Sequence, residues 1–550
     1  MAKKRNNYSS HVNPSNTPQS EPLDDRQVKN NAGGFVYKID KWQQLRRFII
    51  IGTEGGTFYC SENSMVKANY TNVIACIKED AMRVMRDTLS ISDEGLAVKN
   101  TPAIFVMALA MVHGDADTKK FIKENLYKVC RIGTHLFMFA DFCKDLKRGW
   151  GRGMKATIAK WYLDKPVDKL AVQVLKYQKR EGWGNRDLLR LSHAKTSDPV
   201  RNAVFKWVVS GETTGVLPKY ISDYELTMKK TDDIKVVVEL IKKHGYSWEM
   251  VPTEFRKSPE IWNALIDTLG YMAVVRNLGN MSKSGFLVNS KKANVKKVVE
   301  LITNDEKIKN SRIHPFSLLL ATKNYSAGHG FRGSGEWAVV RSVVDALEEA
   351  YEKASKYSEP TGKRILIVID VSGSMNTPIN NTNLTCREAS LAIASVLARR
   401  EDTADMVAFS GGSRGWSSNP DSWKKHFVHE VTELNHLKEY NLVQLLKKTN
   451  ELSFDRTDCA LPMIYAGKKG VKYDAIVVIT DNETWYGDIH PAQALKDYRR
   501  KFNLDTKLIV CGMVSTSFSI ADPADKGMLD VVGFDASLPV LIDNFVAGKV

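Results

Sequence analysis

The chain has 550 residues, enough for two or more domains with full cores, and its 43% hydrophobic, 9% aromatic and 26% charged content excludes a collagenous, coiled-coil-only or largely disordered protein. Formal net charge is +16, from 79 Lys and Arg against 63 Asp and Glu. Residues 361–550 hold 22 basic and 23 acidic side chains, so the first 360 hold 57 and 40 and carry the whole excess, +17. A surplus confined to one part of a chain calls for a polyanionic partner or an acidic surface. The seven cysteines are scattered, with no CxxC or Cys/His zinc spacing, so neither a disulfide framework nor structural zinc is expected. The first residues, Met-Ala-Lys-Lys-Arg, lead into no apolar signal core, and the run Ala103 to Val112 is about half a bilayer span. The expected location is therefore the cytoplasm, or the nucleus of a eukaryote, with no membrane partner and a monomeric state.

Residues 1–32 are polar and carry Pro14, Pro18 and Pro22, and they read as a disordered tail. From about Phe35 to Tyr357 apolar residues recur at three and four positions, as in Val73, Ile77, Val84 and Met85, and glycine breaks follow at intervals of about 20 to 40 residues. Helices in short succession over 33–360 predict an all-α, HEAT-like solenoid of stacked pairs, with a compact helical domain as the alternative. No crisp repeat consensus stands out.

Between Lys144 and Lys195 cations mix with aromatic residues and glycines. Arg152, Lys176, Lys179, Arg180, Arg186, Arg190 and His193 stand among Trp150, Trp161, Tyr177 and Trp183. Cations neutralise phosphates while aromatic or guanidinium planes stack on unpaired bases, so the mixture suits an RNA surface. A solvated basic face over a core containing Trp161 and Trp183 is the plainer account. Lys176 and Arg180, four apart, would share one helix face. His193 is as compatible with a core histidine as with a contact residue.

After Pro360 the pattern changes. Arg364 to Asp370 reads as a strand buried on both faces, followed by a helix Arg387 to Arg400, a strand Met406 to Ser410, and helices near Leu442 to Leu446 and Leu461 to Gly467. A strand Ala475 to Thr480, a helix Pro491 to Arg500 and a strand Lys507 to Cys511 complete an α/β doubly wound domain over 361–550, with ligands expected at the carboxyl ends of strands. Asp370, Ser372 and Ser374 supply hard oxygen donors at one such end, and Thr457 and Asp481 supply two more from separate loops. Oxygen donors with few charges suit Mg²⁺ far better than zinc. Taken alone, Asp-x-Ser-x-Ser also fits a plain capping turn. With the Thr and Thr-Asp positions in order downstream, the set resembles the metal-ion-dependent adhesion site of von Willebrand factor A domains, in which a partner carboxylate fills an open position.

The two halves together resemble the TROVE-domain family. The matching segments include Asn31-Ala-Gly-Gly34-Phe, Arg46-Arg-Phe-Ile-Ile-Ile-Gly52, Asp187-Leu-Leu-Arg-Leu-Ser-His193, Arg276-Asn-Leu-Gly279, Arg312-Ile-His-Pro-Phe316, Asp370-Val-Ser-Gly-Ser-Met-Asn376 and Thr457-Asp-Cys-Ala-Leu-Pro-Met463. The resemblance implies a ring of HEAT-like repeats closed by the von Willebrand factor A-like domain. It also implies small structured Y RNAs on an outer basic surface and single-stranded 3′ ends of misfolded RNAs in a central hole. By position, Lys176, Arg180 and His193 match the motif that engages Y RNA, and Asp370, Ser372, Ser374, Thr457 and Asp481 match the Mg²⁺ set. An exoribonuclease tethered through RNA is an implied partner in bacterial relatives.

The expected function is therefore noncoding-RNA binding in RNA quality control or ribonucleoprotein assembly, without catalysis. The alternative is a metal-dependent protein-interaction module. An enzymatic reading with Asp370 as nucleophile is disfavoured because Ser372 stands where such phosphatases carry a second Asp.

Overall fold

The structure is a computed structural model that describes residues 16–53, 60, 62–177, 179–180, 182–213, 215–331, 335–355, 360–379, 382–410, 431–449, 456–535 and 537–549. It divides into two compact units. One comprises residues up to Arg47, Thr53–Ala68 and Lys356–Val550, and the other comprises Phe48–Gly52 and Asn69–Ser355. In the first unit β1 (Gln27–Lys29) pairs antiparallel with β2 (Phe35–Lys38).

Residues 16–32 therefore do not behave as the disordered tail their composition suggests, and residues 1–15 lie outside the described residues. Gln19 is fully buried: its amide donates to Asp458 Oδ1 (2.7 Å) and to the Ile489 carbonyl (2.8 Å), and its own oxygen accepts from the Thr484 hydroxyl. A polar segment that saturates buried polar groups gains order without an apolar face, and hydropathy is blind to that route. The helical domain expected to begin at residue 33 accordingly yields β2 to the α/β unit.

The helical unit is built from consecutive helices that each pack on near neighbours in sequence, the stacking logic of a solenoid. Thr101–His113 is apolar nearly all round because it is buried nearly all round, with Pro102 in its first turn. It ends at Gly114, where a Cβ would lie 2.6 Å from both the Ala110 carbonyl oxygen and Thr118 Cγ2. Asp115 then caps the next helix, Ala116–Val129, by accepting from Thr118 N. Further on, Gly133–Asp145 packs against Thr101–His113, and Arg152–Leu163 against Ala116–Val129. The helix Val167–Lys176 ends at Tyr177, and a two-stranded hairpin follows, β3 (Lys179–Arg180) against β4 (Trp183–Gly184), turned through Gly182 at φ +74. Among the described residues, no helix is long and apolar enough to cross a membrane.

The α/β unit holds a six-stranded sheet of β5 (Ile365–Asp370), β6 (Ala404–Phe409), β7 (Val431–Glu433), β8 (Ala475–Thr480), β9 (Lys507–Gly512) and β11 (Met528–Val532), in the order β11-β9-β8-β5-β6-β7. All pairs are parallel except the edge strand β7. Between β5 and β7 the strand order runs one way, and from β8 to β11 it runs the other, so the switch point falls between β5 and β8. Both of these strands are buried throughout, as their β-branched runs require. A short strand β10 (Phe518–Ser519) extends the N-terminal hairpin by pairing with β2. Beneath it Arg47, only 1% exposed, donates to the carbonyls of Thr516 and Phe518 and pairs with Asp530. Strand β11 and the helix Leu538–Val546 lie beyond the last element expected from sequence.

In the helical unit His135 is half-buried beside Asn100 and Cys130, and desolvation, assisted by the nearby Arg131 charge, pushes its pKa down from 6.5 to about 4. The folded state holds it neutral while the unfolded chain takes up the proton, so the native state loses stability as pH falls from 6.5 toward 4. At pH 5 the loss amounts to about 2 kcal/mol relative to neutral pH. Urea melts at pH 7 and pH 5 should show wild type losing about that much more stability, or gaining that much less, than His135→Gln on going to the lower pH.

Candidate nucleic-acid interface and metal site

The expected RNA residues fall on four elements of the helical unit, the helices Arg152–Leu163, Val167–Lys176 and Asn185–Ser192 and the strand β3. Arg186 and Arg190, four apart and both exposed, share one face of the helix Asn185–Ser192, which begins with Asp187 bonded back to the Gly184 amide (2.9 Å). His193 caps that helix in the left-handed conformation (φ 52, ψ 39) and is exposed, so the core-histidine alternative does not hold. Arg180 is not on a helix. Its chain leaves the helix at Tyr177, so Arg180 projects from β3 and shares no helical face with Lys176. The spacing argument missed this break because Gly182 and Gly184 lie beyond the window that showed the helical period.

Lys176 is half-buried, with its ammonium 3.6 Å from Glu249 and 5.5 Å from the Tyr177 ring. Arg152 is exposed in the first turn of Arg152–Leu163. The hairpin packs on the helix Gly133–Asp145, where Trp183 Nε1 donates to Asp141 (3.0 Å) and the ring lies 6.0 Å from both Trp150 and the Lys144 ammonium. Trp183 is thus half-buried, whereas Trp161 is core and donates to the Cys130 carbonyl.

Pairing separates this surface from the rest of the unit. Lys160 meets Glu124 and Asp164, Lys243 meets Asp223, Lys297 meets Asp267, and Lys353 meets Asp305 and Glu349. Arg152, Lys179, Arg180, Arg186 and Arg190 have no carboxylate partner among the described residues. Such cations present their full charge to an incoming anion.

In the α/β unit the five expected metal donors are all buried. Asp370 ends β5 at the switch point. Its Oδ1 accepts from Ser372 N (2.9 Å) and its Oδ2 from the Thr480 hydroxyl at the end of β8 (2.6 Å). Ser372 and Ser374 hydroxyls stand 3.2 Å apart on the turn that follows. Asp481 bonds to Ser374 and feels the Asp370 charge. The Thr457 carbonyl accepts from the amides of Trp485 and Tyr486, both 3.2 Å, which ties its loop to that of Asp481. These contacts bring the three loops together.

Burial raises the pKa of Asp370 and pushes Asp481 up to about 8, with the Asp370 and Glu483 charges adding to the shift. Two carboxylates in a dry pocket repel one another, and Arg387, bonded to the Val371 carbonyl, offsets only part of that. The Thr457 hydroxyl is buried with no hydrogen-bond partner among the described residues. Two carboxylates, two serine hydroxyls and an orphaned threonine hydroxyl fit a hard divalent cation, which would neutralise the former and satisfy the latter. The set lacks the imidazole and thiolate donors that zinc prefers.

Sequence reasoning missed the support around this pocket. Asn31 Nδ2 donates to Glu483 Oε1 (2.6 Å), Ala32 N to Glu483 Oε2 (3.1 Å), and Asn30 Nδ2 to the Thr484 carbonyl (2.7 Å). The signal was the Asn-Asn-Ala-Gly-Gly run, in which a Cβ on Gly34 would sit 2.0 Å from the Thr484 oxygen, so only glycine admits that approach.

Comparison with known proteins fits both halves. A family model described as the TROVE domain matches residues 28–236 and 240–359, and one described as the Ro60 vWA domain matches residues 364–546. The chain is 38% identical to "RNA-binding protein RO60" of Deinococcus radiodurans over 548 residues, 98% of this chain and 99% of that one. It is 32% identical to "RNA-binding protein RO60" of Caenorhabditis elegans over 611 aligned positions, 97% of this chain and 92% of that one. Its fold is similar to the crystal structure of the Deinococcus radiodurans RO (RSR) protein, with a TM-score of 0.68 at 35% identity, covering 93% of this chain and 100% of the other. Stacked helices joined to a sheet with a hydroxyl-rich switch point, matched over nearly the whole length, place this chain in the TROVE-domain family, with a von Willebrand factor A domain of the Ro60 type.

Proposed function

We propose that this chain binds noncoding RNA, taking small structured RNAs of the Y RNA kind on the surface formed by Arg152, β3 and the helix Asn185–Ser192. The observation that carries the reading is the group of exposed, unpartnered cations on these touching elements, in a unit whose other surface cations are often paired. The names of the relatives, RNA-binding proteins matched over 99% and 92% of their lengths, support it. The protein acts in RNA quality control or ribonucleoprotein assembly, without chemistry of its own.

Affinity for a small structured RNA should fall steeply with salt, and Arg186→Ala with Arg190→Ala should lower the log–log slope by about 2. Both arginines are exposed, so the thermal melt should stay put. Lys176→Ala should cost less affinity, because Glu249 already offsets that charge. A flat salt dependence in the wild type would sink the reading.

The buried hydroxyl and carboxylate cluster supports a second role beside the first. Asp370, Ser372, Ser374, Thr457 and Asp481 hold Mg²⁺, which supplies positive charge to a carboxylate from a partner protein. Mg²⁺ at 100 times its dissociation constant should stabilise the native state by about 2.7 kcal/mol, read as a rise in melting temperature. Asp370→Ala should abolish the Mg²⁺ response and leave binding of structured RNA unchanged.

A further inference from the structure

The helical unit holds a cavity of about 450 Å³ between the end of the helix Glu62–Glu94, the start of the helix Thr101–His113 and residues 310–312. That volume falls in the range of small-ligand sites, about 300–1,000 Å³. Its walls come from distant parts of the unit, since Asp93 and Arg312, which meet at its rim, are 219 residues apart in the chain. Lys99, Arg131 and Arg312 line the cavity together with Ser92, Asn100 and Asn310. Among the described residues no Asp, Glu or aromatic side chain lines it.

Both guanidiniums are positioned by the fold. Arg131 is half-buried, and its Nη1 donates to the Lys128 carbonyl (2.8 Å), the Ser92 carbonyl (3.1 Å) and the Ser92 hydroxyl (3.1 Å). Its Nε and Nη2 have no hydrogen-bond partner, and no carboxylate pairs with it, among the described residues. Ser92 is fixed in turn by Asn100, whose amide donates to the Val129 carbonyl (2.7 Å). Arg312 stands in the left-handed conformation (φ 53, ψ 35) and packs on Gly95, where a Cβ would lie 3.1 Å from Arg312 Cβ. Its Nη1 meets Asp93 at 2.8 Å, and that exposed carboxylate is outside the lining. Arg131 has no counter-ion of its own: desolvation and the Arg312 charge both lower its pKa, and Asp93 offsets only part of that. The helix Thr101–His113 starts at this wall with no side-chain cap, which adds the positive end of a helix dipole.

Two like charges kept near each other in a partly desolvated cavity, with one carboxylate for the pair, answer to a compact anion. We propose that this cavity binds a small phosphate-class dianion free in solution, either inorganic phosphate or the phosphate group of a small ester, between Arg131 and Arg312 with Lys99 beside them. Guanidinium forks match phosphate oxygens two at a time, which a chloride ion cannot exploit. A nucleobase would find no ring in the lining to stack on, so the site suits a free anion rather than a nucleic-acid strand. The inference is independent of the RNA-binding reading, and neither β3 nor the helix Asn185–Ser192 contributes to the cavity. Because the walls are far apart in the chain, a bound dianion ties the end of Glu62–Glu94 to the segment that carries Arg312.

The test uses the full-length protein and isothermal titration with inorganic phosphate and with glycerol 3-phosphate, in mildly alkaline buffer at an ionic strength held constant with sodium chloride. Arg131 also braces the wall through Ser92 and the Lys128 carbonyl, so Arg312 is the residue to change. Arg312→Gln should weaken binding about tenfold. Asp93→Asn, which releases Arg312 from its carboxylate, should instead strengthen binding about threefold, an effect that a purely structural ion pair would not produce. A thermal melt gives a second reading that is independent of starting stability: phosphate should raise the melting temperature of the wild type more than that of Arg312→Gln. Tighter binding of the ester names a phosphate ester as the ligand and the reverse order names free phosphate, and either supports the proposal. No saturable binding of either probe by the wild type, equal affinity in wild type and Arg312→Gln, or weaker binding in Asp93→Asn would overturn it. Displacement of phosphate by an unstructured RNA oligonucleotide at micromolar concentration would also overturn it, assigning the cavity to nucleic acid.

Discussion

Charge buried at the carboxyl ends of β5 and β8 is the constraint around which the α/β unit is organised. Asp370, Asp481 and Glu483 cannot be hydrated where they lie, and a carboxylate out of water needs donors or a counter-charge. The protein supplies donors from four directions: the Ser372 amide, the Thr480 hydroxyl, the Arg387 guanidinium nearby, and the Asn31 and Ala32 groups of the N-terminal segment. Position follows from topology, because neighbouring strands at a switch point diverge in their connections and leave a crevice that loops must line. The glycine at 34 and the bonds of Gln19 are the packing consequences of that requirement, since the segment meets the loop backbone to backbone.

The helical unit solves a different electrostatic problem. Its excess of cations is spread over many helices, and most surface pairs there are exposed, contributing little to stability. What distinguishes one surface from another is whether acids stand beside the bases. The hairpin β3–β4 and the helix that follows have arginines without carboxylate partners among the described residues. Rigidity accompanies it: Trp183 is anchored to Asp141, so its aromatic plane stands ready rather than being ordered on contact.

Much of this was legible in the amino-acid order. Strands buried on both faces announced themselves as β-branched runs, and Ala475–Thr480 has the bounds that its composition suggests. The buried cluster of Asp370, Ser372, Ser374, Thr457 and Asp481 could be named in advance because oxygen-bearing side chains stand in order at strand ends and in the loops beside them. Other features left no periodic trace. Strand β11 is only partly buried and short, so its alternation is faint, and β7 is a three-residue edge. Arg180 was misplaced because a helical period persists in sequence past the residue where the helix stops. The N-terminal segment was misread because polar residues that satisfy buried polar groups look, in composition, like residues that seek water.

The α/β unit is discontinuous in the chain, since its strand β2 precedes the helical unit and its sheet follows. Gln19 meets partners 439 and 465 residues away. During synthesis the first strands emerge long before the loops that receive them, and the whole helical unit is made in the interval. Closing that distance defers the last step of assembly until the polypeptide is nearly complete. Order in the N-terminal segment is therefore a report on completion: a chain cut short before Thr484 has lost the site where Gln19 and Asn30 dock.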